Sequence, residues 1–138
     1  MSTLDVARNK AAIIERCVRR TREVYGGDDA NLTADVTKQD SIILNIQRAC
    51  EAAVDLAMHL VRRHHLGIPQ ESRHAFDLLA EAGKLDPPLA DVLKRMVGFR
   101  NVAVHDYQHL SLDIVRAIIE RHLDDLLAFA RSGLASDG

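Results

Sequence analysis

The sequence predicts an all-α protein, an up-and-down bundle of about five helices, and two observations lead there. Apolar residues return every three or four positions along most of the chain, which is the period of a helix face and not of a strand. The runs that carry this period are separated by Gly26-Gly27, Gly67-Ile68-Pro69, Gly83 and Asp86-Pro87-Pro88, residues that stop or start helices. With 138 residues, 47% of them hydrophobic, the chain has the length of one domain, spanning 1–138, and the apolar content for one ordinary core.

The first helix is expected from Thr3 to about Tyr25, where Leu4, Ala7, Ala11, Ile14 and Val18 form one stripe. Arg16, Arg19, Arg20 and Arg22 crowd its last turns, and two readings stand for them: cations favoured at the negative end of a helix dipole, or a patch for RNA. Asn31 to Thr37 reads as a connection or a short helical turn. Asp40 or Ser41 is then the expected cap of a long second helix. Along it Ile42, Ile43, Ile46, Ala49, Cys50, Ala53, Val54, Ala57, Leu60 and Val61 hold the helical period throughout. Arg48, Glu51, Asp55, His59 and Arg62 make a polar row on its other side, either a solvated face or the wall of an interface.

His64-His65, with His59 and His74 nearby, raises a metal site. Adjacent imidazoles diverge on a helix, and no cysteine or carboxylate completes a ligand set, so no metal is expected and a wet helix end is the simpler reading. A short helix from Glu71 to Ala82 closes at Gly83. Asp86-Pro87-Pro88 opens the next, whose buried face runs through Leu89, Val92, Leu93, Met96 and Val97 towards Val104. Ser111 is the expected cap of the last helix, and Ser132 to Gly138 is expected to be a disordered polar tail.

The formal net charge of −2 gives no global field to attract nucleic acid and argues against an avid non-specific binder, so any RNA contact has to come from a local basic patch. Cys17 and Cys50 show no metal-ligand spacing, the amino terminus carries no apolar leader, and no run suits a bilayer. A soluble protein of the reducing cytoplasm, with no membrane partner, is expected.

The densest chemistry lies in Phe99-Arg100-Asn101-Val102-Ala103-Val104-His105-Asp106-Tyr107, where a guanidinium, an amide, an imidazole and a phenol meet near a helix end. Such a cluster could hold a phosphate and move a proton. Singly, each residue has a plainer explanation: a snorkelling arginine, a capping or solvent histidine, a tyrosine that anchors a loop. Together they resemble the R-x4-6-H motif of the HEPN superfamily. The polar residue after the arginine and the tyrosine two after the histidine resemble its HepT-like toxin branch, a likeness that the chain's length and helical order share.

That resemblance implies a HEPN-like helical homodimer acting as a metal-independent endoribonuclease, the toxin of a toxin–antitoxin pair. Arg100 and His105 would be catalytic, with Asn101 in support. Tyr107 would accept AMP from an MntA-like nucleotidyltransferase antitoxin. No cofactor is implied. Since HepT-like proteins pair through helices beside the motif, Asp55 becomes the candidate carboxylate next to Arg100 or His105. A different class of function fits the same residues: a non-catalytic helical module that dimerises and presents a substrate to a nucleotidyltransferase.

On an undistorted helix, side chains five residues apart diverge by about 140°. Arg100 and His105 are therefore expected to need a bend near Val104, or another chain, to converge.

Overall fold

The computed structural model describes residues 3–137, and every long element among them is helical. Helix α1 (Thr3–Tyr25) leads through the single turn α2 (Ala30–Thr33) to the long α3 (Val36–Arg63). Helices α4 (Ser72–Glu81) and α5 (Pro87–His105) follow. After a 3-10 turn at Tyr107–His109 comes α6 (Leu112–Ala117), which a π turn at Ile118–His122 joins to α7 (Leu123–Asp137).

Helix α3 is the axis of the bundle: α1, α4, α5 and α7 all pack on it. This explains a departure from the polar row expected on α3. Arg48, Asp55 and Arg62 are exposed and Glu51 is half-buried, but His59 retains only 5% of its surface, and the interleaved Ala52 and Leu56 are buried too. A helix covered by four neighbours has little free circumference, so part of its polar side is drawn inside.

On α1, Ala7, Ala11, Ile14 and Val18 are buried as their spacing requires, while Leu4 lies outside the described side chains. Thr21 is also fully buried, its hydroxyl donating to the Cys17 carbonyl at 2.8 Å, which satisfies a polar group that would otherwise be costly inside. Phe76 of α4 and Phe129 of α7 meet edge to face at the core, with centroids 5.6 Å apart.

The helix ends follow local chemistry. Gly26 and Gly27 adopt left-handed φ values of 59° and 73°, and Gly83 one of 71°, conformations that a residue with a Cβ resists. Asp35, not Asp40 or Ser41, caps α3 by accepting from the Lys38 amide at 3.0 Å, so the helix starts about one turn before its expected cap. Asp86 precedes the proline at the first turn of α5, and the Ser111 hydroxyl accepts from the Ile114 amide at 3.4 Å to open α6. The α1–α3 connection is tied to α6 by Arg116, whose guanidinium grips both carboxylate oxygens of Asp29 at 2.7 and 2.9 Å.

The disordered tail expected from Ser132 is corrected by the structure: α7 continues to Asp137, with Gly138 outside the described residues. Packing holds this polar stretch in place. Gly133 is buried against Leu56 of α3, Leu134 packs on the core, and the His64 ring nitrogen Nε2 lies 2.9 Å from the Ser136 carbonyl oxygen. A Cβ at Gly133 would stand 2.7 Å from Leu56 Cδ2 and 3.1 Å from its Cγ. Leu56 is fully buried and cannot swing away. Gly133→Ala is therefore expected to destabilise the fold by about 1–3 kcal/mol in urea unfolding, with favourable coupling to Leu56→Ala in a double-mutant cycle. Strict additivity of the two changes would show that the close approach is not the cause.

Candidate active site

Of the two expected routes to convergence, a bend near Val104 or help from another chain, the first finds no break in the helix at Val104. Helix α5 stays helical to His105 and ends at Asp106, whose φ of −151° and ψ of 48° turn the chain out of the helix. Arg100 and His105 consequently stand about 7.5 Å apart along the axis and point in directions about 140° apart around it. Arg100 is half-buried towards α3, near enough to Cys50 for its charge to act on that thiol. Burial nevertheless dominates and pushes Cys50 up to about 12, so the thiol is inert.

Asn101, Val104 and His105 are exposed on α5, Val104 one turn after Arg100 and His105 one turn after Asn101. The Arg100 guanidinium turns along the helix surface towards them, its Nε donating to Asn101 Oδ1 at 3.0 Å. Asn101 sits one turn before His105 on the same face, so the amide lies between guanidinium and imidazole. Guanidinium, amide and imidazole thus form one polar strip on a convex helix surface, with the exposed Val104 at its edge.

Asp55, expected beside Arg100 or His105, is placed elsewhere in the protomer. It pairs with Lys10 of α1 at 3.1 Å, because its position on α3 turns it towards that helix. The Arg100 side chain is served by the amide of Asn101 instead.

Beyond Asp106 the 3-10 turn carries Tyr107 back towards α3, where its hydroxyl donates to the carboxylate of Asp40. Tyr107 keeps 42% of its surface exposed. Partial burial, then the bond to Asp40 and that residue's negative charge, push the phenol up to about 12. Asp106 is engaged by His109, Nδ1 to Oδ1 2.6 Å, so the turn is braced on both sides of Tyr107.

Asp40 is the member of this site that sequence reasoning missed. By residue type it reads as a helix cap, and 67 residues separate it from Tyr107, so no spacing rule links the two. The apolar groove on the flank of α5 adjoins the motif but leaves out its polar side chains. It holds about 460 Å³ and is lined by Met96, Phe99, Val102, Leu110 and Ile114 among others, not by Arg100, Asn101, His105 or Tyr107. Among the described residues no group of three or more His, Cys, Asp or Glu side chains is arranged to hold a metal ion, and no helix is long and apolar enough to cross a membrane.

Comparison with known proteins gives concordant results. The family described as Ribonuclease HepT-like matches residues 14–132. An mRNA nuclease HepT from Shewanella oneidensis is 52% identical over 125 residues, covering 91% of this chain and 93% of that one. Among solved structures, a tri-AMPylated Shewanella oneidensis HEPN toxin in complex with an MNT antitoxin superposes with a TM-score of 0.88 at 50% identity, over 96% of this chain and 97% of that one. A toxin–antitoxin structure with AMP-PNP gives the same TM-score at 49% identity, over 96% and 99% of the two chains.

Proposed function

Because this chain belongs to the HepT-like ribonuclease family, we propose that it is an endoribonuclease, the toxin of a toxin–antitoxin pair, acting in the cytoplasm as a single-domain homodimer. The observation that carries this reading is the strip formed by half-buried Arg100 with exposed Asn101 and His105 on an unbroken helix.

The chemistry needs no metal. The ribose 2′-oxygen loses its proton and attacks the neighbouring phosphorus, a cyclic phosphate forms, and the 5′-oxygen leaves with a proton. An imidazole ordinarily titrates near neutral pH and serves as the proton carrier at His105. The Arg100 fork opposes the charge that builds on the phosphate oxygens. Its Nε is held by Asn101, which orients the guanidinium and leaves its terminal amino groups for the phosphate.

One histidine supplies one proton carrier, whereas in-line cleavage uses a base for the nucleophile and an acid for the leaving group. A strip on a convex surface also lacks walls. Both shortages end if a second copy of the chain faces the first across its strip, so that two arginines and two histidines line one cleft. Isologous pairing, which sets the same surface of each copy against the other, brings the two strips together where they flank the two-fold axis.

An MntA-like nucleotidyltransferase is the proposed antitoxin, as the relatives' complexes with MNT antitoxin support. Adenylate on Tyr107 would put bulk and negative charge next to the strip, neutralise Arg100 and fill the cleft, which stops cleavage.

The test is the isolated protein on single-stranded RNA in excess chelator. Cleavage is expected, with products ending in 2′,3′-cyclic phosphate, and growth should arrest when the chain is expressed without its partner. Intact RNA from a preparation that still takes adenylate would favour the non-catalytic presenting module.

A further inference from the structure

We infer that Asp40 is the general base that takes the Tyr107 phenolic proton when this tyrosine accepts adenylate. The inference rests on the acceptor role proposed above and extends it to α3, outside the motif. Asp40 stands inside α3, whose cap is Asp35, so its carboxylate is not spent on the helix start. It is directed instead across 67 residues of sequence to the one atom of Tyr107 that can react.

In the transfer, Tyr107 Oη attacks the α-phosphorus of ATP held by the nucleotidyltransferase. The Oη–P bond forms, the bond from phosphorus to the bridging oxygen breaks, and pyrophosphate leaves with the electron pair. The phenolic proton passes to Asp40 and then to water.

A base is needed because so little of this phenol is ionised. Partial burial and the Asp40 bond push it up to about 12, so at pH 7 about one molecule in 10⁵ carries phenolate. The proton must therefore leave during the attack, and the group already hydrogen-bonded to it is the Asp40 carboxylate. The nearest alternative along the chain, Asp106, is occupied by His109 at 2.6 Å. Once esterified, Oη has no proton to donate and carries a phosphodiester anion that Asp40 repels, which frees the modified side chain to turn towards Arg100.

The experiment uses the chain in complex with its nucleotidyltransferase partner and ATP, with adenylate at residue 107 followed by intact mass. Asp40→Asn still offers an oxygen to the hydroxyl but cannot take the proton, and its rate of transfer is expected to fall about 10²–10³-fold. Asp40→Glu is expected to stay within about tenfold of the native rate. Circular dichroism and co-purification should show that both variants fold and bind the partner.

A merely anchoring carboxylate is separated from a base by phenol acidity. Difluorotyrosine at position 107 ionises near neutral pH and should restore the Asp40→Asn rate to within about tenfold of native, while changing the native background little. Native-rate transfer to Asp40→Asn would overturn the inference, as would failure of the fluorinated tyrosine to rescue it. If native Tyr107 takes no adenylate while Tyr107→Phe is equally inert, the acceptor role itself falls, and the base with it.

Discussion

Purified His105→Ala is expected to lose RNA cleavage by at least about 10³-fold while keeping its fold and the proposed dimer. The size follows from the role. General acid–base catalysis by a placed side chain contributes about 10²–10⁴-fold, and in a symmetric cleft one substitution removes both the acid and the base. The fold should not notice, because His105 is an exposed side chain at the C-terminus of α5. A change within about 0.5 kcal/mol in urea unfolding is the expectation for such a surface site. Single-turnover cleavage and an unfolding curve on the same preparation check both halves. Cleavage that persists near the native rate would remove His105 from the chemistry and leave Arg100 holding a phosphate with nothing to move the proton.

Much of this fold was legible in the chain because helix period and helix stops are local properties. The stripe Ala7, Ala11, Ile14, Val18 and the breakers Gly26-Gly27 and Gly83 act through nearest neighbours, and the structure honours each of them. The cap of α3 was misplaced because Asp35 and Asp40 are both acceptable caps by type, and only the geometry of the α2–α3 connection selects the earlier one. The tail was misread for another reason. Ser132 to Gly138 is polar and carries two glycines, and what orders residues up to Asp137 is the groove that Leu56 offers to one of them, Gly133, which has no side chain.

The motif showed the same division. Arg100, Asn101, His105 and Tyr107 lie within eight residues and could be recognised together. The partners supplied by other helices could not. Asp55 was expected at the motif because α3 was expected to run beside it, yet the rotation of α3 turns Asp55 to Lys10 and Asp40 to Tyr107. The angle between Arg100 and His105 was legible, since it follows from their spacing on any regular helix. Its consequence depended on whether α5 is interrupted near Val104, and the helix runs on to His105.

An unbroken α5 turns the proposed chemistry into a statement about two chains, and the second large effect follows from it. In a dimer joining one native protomer to one Arg100→Ala/His105→Ala protomer, the shared cleft retains one guanidinium and one imidazole. Such a dimer should cleave far below half of the native rate, by about 10²-fold, because either the base or the acid is missing from every encounter. Two independent sites would behave differently, since the native protomer would work undisturbed.

The most direct measurement is therefore made on that mixed dimer, isolated through a different affinity tag on each protomer and assayed against both parent homodimers under single-turnover conditions. Activity near one hundredth of the native homodimer is the expected result. Activity at half of the native homodimer would show that each protomer cuts RNA with its own residues, and would contradict the shared site.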